Sequence, residues 1–178
     1  HYPLRRQRQM CIRDRVHGLD AGALFGVGTA RHGYEGSNPL IEIISAGHPM
    51  PDEGSVKAAD RALQAASQCT QDDIAVVMMS GGGSANWVAP AGAMVLAEKQ
   101  ALNRALLRSG AHIGEINCVR KHLSRIKGGR LAARIAAGHI HTLAISDVPG
   151  DDPSTIASGP TVPDPVSYTH LTLPTKRI

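Results

Sequence analysis

Residues 74–84 read IAVVMMSGGGS, and this stretch decides the fold. Six apolar residues without alternation are typical of a parallel β-strand that is covered on both faces. A glycine-rich loop follows directly, and ligands of open α/β sheets bind outside the carboxyl ends of the strands. The stretch therefore predicts a parallel sheet and also the edge of that sheet at which functional residues meet.

The segments on either side alternate between strand and helix patterns. Strands are predicted at residues 40–44, 74–79 and 140–145, and helices at residues 54–68, 97–109, 113–124 and 131–137. Asp52 is a candidate N-cap of the first helix, and Gly110 suits the position after the second. The alternation predicts the α/β class, with a Rossmann-like, mostly parallel sheet and flanking helices.

The charge of the chain is unevenly distributed. The 178 residues, of which 42% are hydrophobic, suffice for one packed domain and carry a formal net charge of +4. Residues 1–15 carry +4 and residues 166–178 carry +2, whereas residues 16–165 carry −2. A basic chain suggests a nucleic-acid-binding protein, but the acidic balance of the central span argues against that function.

Both termini lack a helical or strand period, and one DNA sequence can encode parts of both. Residues 10–14, MCIRD, can be written ATG TGT ATA AGA GAC, and its reverse complement encodes VSYTH at residues 166–170. Such an inverted repeat resembles the end of a sequencing-library transposon. We therefore predict adapter-derived tails at residues 1–15 and 166–178; two native disordered tails are the alternative.

Cysteine spacing and hydropathy argue against several classes of protein. Cys69 and Cys118 are far apart in the central span and lack the spacing of zinc ligands, so neither a disulfide scaffold nor a zinc knuckle is indicated. The longest strongly apolar run, residues 74–79, is too short to cross a bilayer. We expect a cytoplasmic protein without a membrane partner.

The glycine-rich loop is the first candidate site. Its residues are Ser80, Gly81, Gly82, Gly83 and Ser84. Glycines let main-chain N–H groups approach an anion without obstruction by a Cβ atom. We predict a cradle for phosphate or carboxylate, with a flexible surface turn as the alternative. The loop matches neither the Walker motif nor the complete dinucleotide fingerprint.

A cluster of basic residues is the second candidate site. Asn117, Arg120 and Lys121 fall on a predicted helix, and Lys127 and Arg130 flank a Gly-Gly break. Such a cluster can hold a multiply charged phosphate, whereas a solvated charged face is the alternative. The glycine break between the two helices favours the anion site.

An acidic loop after the last predicted strand is the third candidate site. Asp147, Asp151 and Asp152 lie close together there, and Mg²⁺ commonly binds one or two carboxylates together with substrate phosphates. We predict that Asp147, with Asp151 or Asp152, holds the metal or orients the attacking hydroxyl; for Asp151 and Asp152, a capping or solvated turn is the alternative. His48 is a candidate for substrate positioning, with a structural or solvated histidine as the alternative. Together the three sites fit phosphoryl transfer.

Four motifs resemble those of the glycerate 2-kinase family, which also carries the provisional label hydroxypyruvate reductase. They are AGHPMPD at residues 46–52, SGGGSA at residues 80–85, INCVRKHLSRIKGGRL at residues 116–131 and SDVPGDDPSTIASGPT at residues 146–161. The resemblance implies a kinase that uses ATP and Mg²⁺ to phosphorylate D-glycerate to 2-phosphoglycerate. In such a kinase Lys127 and Arg130 would neutralise the transferring phosphoryl group, with help from Arg120 and Lys121.

The resemblance also implies a longer protein, with a Gly-Lys-Ala segment upstream and a second, C-terminal domain. We therefore expect residues 16–165 to be a truncated N-terminal α/β domain that is inactive alone. NAD(P)H-dependent hydroxypyruvate reduction is the second enzyme interpretation, although it lacks a dinucleotide fingerprint. A basic nucleic-acid-binding module is the non-enzyme alternative, and it predicts salt-sensitive affinity in residues 16–165. The sequence indicates no oligomeric state.

Overall fold

The computed structural model describes residues 24–146 and 148–164. Strands β1 to β4 span Gly26–Arg31, Ile41–Ala46, Ile74–Met79 and His139–Ala144. Helices α1 to α4 span Glu53–Gln68, Gly83–Asn86, Leu96–Arg108 and Ile113–His122. Short 3₁₀ turns span Ala132–Arg134 and Ile156–Ser158. In the described part of the chain, no helix is long and apolar enough to cross a membrane.

The four strands form two parallel pairs. β1 pairs with β2, with Gly26 opposite Ile41, and β3 pairs with β4, with Ile74 opposite His139. The two pairs form separate sheets, and α1 connects β2 of the first sheet to β3 of the second. Parallel strands need a crossover between them, and α2, α3 and α4 lie in the connection from β3 to β4. The α/β class and the parallel pairing predicted from the sequence are confirmed.

Strand β1 is missing from the predicted strands because its sequence, GVGTAR, contains two glycines and lacks a clear strand pattern. The structure explains one of these glycines. A Cβ atom at Gly28 would lie 2.7 Å from Cδ1 of Ile43 on β2. Gly28 therefore makes room for the isoleucine of the neighbouring strand, a fit that sequence periodicity does not report.

Helix α1 packs its small apolar face into the core. Its buried residues on this face include Ala59, Ala62, Leu63 and Ala66, which meet Val77 and Met79 of β3 and Ile126 and Leu131 from the turn after α4. Alanine at most of these positions lets the helix approach the strands closely, and close packing supplies the dispersion contacts of the core. The helix therefore fixes the position of the loops that follow β2 and β3.

Strand β3 is covered on one face only in the described part of the chain, so the predicted coverage of both faces is wrong there. Val77 and Met79 are buried, whereas Ile74, Val76 and Met78 on the opposite face are 51–65% exposed. Leu143 of β4, which pairs with Met78, is also exposed. The two strands thus share an apolar face that no described residue covers.

The predicted helix at residues 131–137 is also wrong. Only the 3₁₀ turn Ala132–Arg134 forms there. The main-chain N–H groups of Gly129 and Leu131 donate to the carbonyls of Gly159 at 2.8 Å and Pro160 at 3.1 Å. These long-range hydrogen bonds compete with a helical ladder, and tertiary contacts override the local helix propensity of the alanines.

Asp52 caps α1, as the sequence predicts. Its Oδ1 accepts hydrogen bonds from the N–H groups of Ser55 at 3.0 Å and Gly47 at 2.9 Å, and its Oδ2 lies 2.6 Å from His32 Nε2. Burial alone would raise the pKa of Asp52, but these hydrogen bonds outweigh burial and hold the pKa well below its usual range. The ionised carboxylate therefore stabilises both the helix start and the preceding loop.

Replacing Asp52 with alanine should lower the free energy of unfolding by about 1–2 kcal/mol at pH 7. Because the folded pKa is depressed, the contribution is present above the unfolded pKa and shrinks as the pH falls below it. Urea denaturation of wild type and Asp52→Ala at pH 7 and pH 3 measures this difference. Asp52→Asn keeps a cap acceptor and should lose less, so equal losses in both variants would contradict the capping role.

Candidate anion-binding site

The candidate site is a small pocket at the carboxyl ends of β2 and β3. The loops after these strands form one wall, and α3 with the end of α4 and its following turn forms the other. The lining residues are Pro49, Pro51, Ser84, Ala85, Val88, Ala89, Lys99, Asn103, Arg120, Ser124 and Lys127. The volume of about 100 Å³ is below the ~300–1,000 Å³ typical of pockets for larger ligands. The pocket therefore suits one small group, such as a phosphate or a carboxylate.

The charge on the pocket wall is entirely positive. Lys99, Arg120 and Lys127 line it, and its described lining residues include no carboxylate. Buried cations lose hydration and repel one another unless a counter-charge compensates them. A bound anion would supply that counter-charge, so the lining favours an anionic ligand.

Lys127 lies in the turn after α4 and is only 5% exposed. Its ammonium donates to the main-chain carbonyl of Ser84 at 2.7 Å, which joins the basic cluster to the glycine-rich loop. Burial, assisted by the charges of Lys99 and Arg120, lowers the pKa of Lys127 to about 7. An ammonium has three N–H donors, so the protonated side chain keeps donors for a ligand.

Lys99 is a pocket residue that the sequence analysis missed. It is buried on α3, and its ammonium donates to the carbonyls of Leu123 at 2.8 Å and Arg120 at 3.4 Å. Carbonyls at a helix C-terminus lack intrahelical partners, so Lys99 caps α4. Burial, followed by the charge of Arg120, lowers the pKa of Lys99 to about 8. One feature of the sequence could have identified it: Lys99 lies on the same helical face as Leu102 and Leu106, which is the face expected to be buried.

Arg120 and Asn103 connect α4 to α3 beside the pocket. Arg120 Nε donates to Asn103 Oδ1 at 3.2 Å. Burial lowers the pKa of Arg120, but a guanidinium stays protonated in proteins. Within the described residues, its two terminal nitrogens make no hydrogen bond. Arg120 therefore contributes a fixed positive charge and unused donors.

Ser124 positions the turn that carries Lys127. Its buried Oγ accepts hydrogen bonds from the N–H groups of Ile126 and Lys127, each at 3.3 Å. Ser84, on the opposite wall, shares a 2.8 Å hydrogen bond with the hydroxyl of Ser158. The first contacts order the turn after α4, and the second joins the glycine-rich loop to the 3₁₀ turn Ile156–Ser158.

The other predicted members of the basic cluster lie outside the pocket lining. Lys121 is buried, with its Nζ 3.7 Å from Asp164 Oδ1. Arg130 Nη1 donates to the carbonyls of Lys121 at 2.7 Å and Lys127 at 3.1 Å, so it braces the turn. Asn117 does not contribute to the pocket lining. The cluster thus divides into pocket residues and residues that hold the turn in place.

Two glycines of the loop make room for other parts of the chain. Gly82 has a φ of +87°, and a Cβ there would lie 2.7 Å from Arg31 Nη2 and 2.9 Å from the His48 ring. A Cβ at Gly83 would lie 2.9 Å from that of Ala157. The positive φ accounts for Gly82 and the close approach of Ala157 for Gly83, and the predicted main-chain cradle stays a prediction.

Replacing Gly82 with alanine should destabilise the chain more than replacing Gly92. Gly92 also has a positive φ, +61°, but nothing lies within 4 Å of a Cβ placed there. The backbone cost of about 1–2 kcal/mol is common to both, and displacing the exposed Arg31 and His48 side chains adds up to about 1 kcal/mol at Gly82. Urea denaturation of both variants isolates the crowding, and equal losses would contradict it.

The rest of the predicted loop residues surround the pocket without lining it. Of the five loop residues only Ser84 is in the lining, which leaves Ser80 and Gly81 beside it.

His48 lies next to Arg31, and its burial together with the Arg31 charge lowers its pKa. Its neighbour Pro49 lines the pocket, so substrate positioning by His48 stays a prediction.

Trp87 fixes the end of the glycine-rich loop. Its Nε1 donates to Thr29 Oγ1 on β1 at 2.7 Å, and its ring packs against the core. This contact anchors the segment just after Ser84.

The acidic loop offers limited support for a metal. The oxygens of Asp152 accept hydrogen bonds from the N–H and hydroxyl of Ser154 and the hydroxyl of Thr155, at 2.7–3.0 Å. Asp151 is exposed, and Asp147 lies outside the described residues. Within the described ranges, no group of three or more histidine, cysteine, aspartate or glutamate side chains is placed to hold a metal ion.

Fold and pocket together define an α/β protein with a cationic pocket at the carboxyl ends of parallel strands. A family model described as a domain of unknown function, DUF4147, matches residues 9–175. The chain belongs to this family.

Named relatives confirm the resemblance found in the sequence. The chain is 46% identical to the D-glycerate 2-kinase of Thermotoga maritima and 45% identical to the glycerate 2-kinase of Pyrococcus horikoshii, over 78% and 80% of its length. It is 53% identical, over 81% of its length, to an Agrobacterium vitis protein provisionally named hydroxypyruvate reductase. The chain spans about a third of the length of these relatives, between 32% and 34%.

Solved structures of relatives share the fold. The crystal structure of glycerate kinase from Thermotoga maritima matches with a TM-score of 0.74 at 46% identity, over 78% of this chain and 34% of that one. A second structure, from Pyrococcus horikoshii, matches with a TM-score of 0.76 at 43% identity, over 80% and 33%. These matches confirm the predicted fold class.

Proposed function

We propose that the chain forms the phosphate-binding part of a glycerate 2-kinase that transfers a phosphoryl group from ATP to D-glycerate. The pocket lined by Lys99, Arg120 and Lys127, without a carboxylate in its described lining, carries the proposal. Phosphoryl transfer is catalysed mainly by positioning and by neutralising charge. The names of the Thermotoga and Pyrococcus relatives support the same reaction.

In this reaction the 2-hydroxyl oxygen of D-glycerate bonds to the γ-phosphorus of ATP, the bond from that phosphorus to ADP breaks, and the hydroxyl proton is released to solvent. Negative charge spreads over the phosphoryl oxygens as the bonds exchange. Lys127 and Arg120 would offset that charge with donors already held in place. Arg130 would act indirectly, by bracing the turn that carries Lys127.

The described carboxylates do not by themselves form a site for Mg²⁺. Asp152 accepts hydrogen bonds from Ser154 and Thr155, and within the described residues no group of three or more metal-binding side chains includes it. We therefore assign no step to Asp151 or Asp152. Asp147, outside the described residues, stays a candidate for orienting the attacking hydroxyl.

A chimera of the Thermotoga maritima enzyme tests the proposal. Residues 24–164 of this chain would replace the matching segment, from which they differ at about half of the positions. We expect ATP-dependent phosphorylation of D-glycerate, and loss of that activity when the chimera carries Lys127→Met. Circular dichroism checks folding, and a folded chimera without kinase activity would overturn the proposal.

Hydroxypyruvate reduction is the second candidate because a relative from Agrobacterium vitis carries that provisional name. It predicts oxidation of NADH or NADPH with hydroxypyruvate. The same chimera, assayed with either cofactor and hydroxypyruvate, separates the two functions. The small volume of the cationic pocket suits a single anionic group, which ATP and a dinucleotide both carry, so the assay decides between the two functions.

A further inference from the structure

The hydrogen bond between Arg120 and Asn103 joins two helices at the pocket wall. Arg120 lies near the end of α4, and Asn103 lies on α3, one helical turn after Lys99. Nε of Arg120 donates to Oδ1 of Asn103 at 3.2 Å. Both side chains line the pocket. The contact therefore fixes a guanidinium at the place where three cations meet.

The acceptor for Arg120 is the side-chain amide of Asn103, and this choice determines whether the guanidinium keeps its net charge. Arginine in proteins is often held by a carboxylate, which would cancel the positive charge of the guanidinium. An amide oxygen accepts the same hydrogen bond and leaves that charge intact. With Nε engaged, the terminal nitrogens of Arg120 make no hydrogen bond to any described residue. Arg120 is thus oriented, charged and ready to donate.

We propose that Asn103 is a positioning residue that holds the Arg120 guanidinium so that its terminal nitrogens bind two oxygens of one anionic group. The inference rests on the proposed function of the pocket and adds a preference for anions that carry two adjacent oxygens. A fixed guanidinium matches anions with two adjacent oxygens, such as phosphate, sulfate or carboxylate. A halide offers a single centre and gains less from this arrangement.

A double-mutant cycle with inorganic phosphate tests the role of Asn103. Calorimetric titration of the full 178-residue chain compares wild type, Asn103→Ala, Arg120→Lys and the double variant. Asn103→Ala should weaken phosphate binding about tenfold in the wild-type background. Lysine keeps the charge but lacks Nε–H and the fork, so in Arg120→Lys the same change should matter less than twofold. Equal losses in both backgrounds would overturn the positioning role.

Asn103→Asp separates positioning from simple structural support. The carboxylate has nearly the shape of the amide and would still hold Arg120, but it would cancel the guanidinium charge. Phosphate binding should fall at least as far as in Asn103→Ala, while the urea midpoint stays at or above that of wild type. Wild-type phosphate affinity in Asn103→Asp would contradict the inference. The Arg120 Nε–H signal in nuclear magnetic resonance spectra should remain protected in this variant and lose protection in Asn103→Ala.

The same titrations distinguish failure of the inference from failure of the proposed function. If the wild-type chain binds no phosphate, the proposed anion site is wrong, and the role of Asn103 is wrong with it. If the wild-type chain binds phosphate and the effects of the Asn103 and Arg120 changes are additive, only the positioning role is wrong. Arg104→Ala is the matched control, because Arg104 is exposed on the same helix and absent from the pocket lining.

Discussion

Replacing Lys127 with methionine is expected to weaken phosphate binding by about 30-fold or more. Removing one partner from a buried, hydrogen-bonded charge pair costs about 2–5 kcal/mol, and 1.4 kcal/mol is a factor of ten. Lys127 is buried, lines the pocket and already donates to Ser84. Titration calorimetry of the full chain with inorganic phosphate at pH 7 measures the loss.

The same substitution should stabilise the chain when no anion is bound. The depressed pKa of Lys127, about 7, shows that the folded state disfavours its protonated form. Methionine has a similar volume without charge, although it leaves the Ser84 carbonyl without its donor. We expect a net gain of about 1–2 kcal/mol in the free energy of unfolding. Function and stability would then change in opposite directions, as at other binding sites.

Arg104→Met provides the matched control for Lys127→Met. It removes one positive charge from an exposed position on α3, outside the pocket. Its effect on phosphate binding should stay below twofold, because exposed charges are screened by salt. If both variants weakened binding equally, long-range charge would explain the affinity and the pocket would not.

Raising the pH from 7 to 9 is expected to weaken sulfate binding by about 500-fold at most, about 50-fold through Lys127 and about tenfold through Lys99. Lys127 has a pKa of about 7 and Lys99 of about 8 in the anion-free protein. A bound anion favours the protonated lysines, so binding takes up protons, and one titrating group changes the affinity up to about tenfold per pH unit. Sulfate is the probe because its charge stays constant over this range.

The stability of the anion-free chain should change with pH in the opposite direction. In the unfolded chain both lysines have pKa values near 10.5, so between pH 7 and pH 10 the unfolded state binds more protons. Linkage then requires the free energy of unfolding to rise with pH. The double change Lys99→Met with Lys127→Met should make both the sulfate affinity and the free energy of unfolding less dependent on pH. Lys57→Met, at an exposed lysine on α1, should leave both pH dependences unchanged. A flat sulfate affinity in wild type would contradict the coupling.

Local chemistry made much of the fold predictable from the sequence. The apolar run at residues 74–79 is a strand at the same residues in the structure, and Asp52 caps α1. Gly110 has a φ of +73° just after α3, as a residue at that position requires. Each of these features is decided within a few residues of the chain, so one sequence contains enough information to predict it.

Features that depend on distant parts of the chain were not predictable in the same way. Residues 131–137 contain alanines that favour a helix, but hydrogen bonds to Gly159 and Pro160 decide their structure. Lys99 is buried because the end of α4 supplies carbonyls for it. The basic cluster was predicted as one group, yet its side chains face different partners. Long-range contacts decide burial, and burial determines which charges reach the pocket.

Because Trp87 is anchored, its fluorescence can report on the pocket loop without an added label. Trp87 is the only tryptophan in the sequence, and it lies three residues after Ser84 and is hydrogen-bonded to Thr29. Light that only indole absorbs therefore excites a single residue at a known position, the end of the loop that lines the pocket. Emission from that ring will follow movement of the loop or a change in nearby charge in the unlabelled protein.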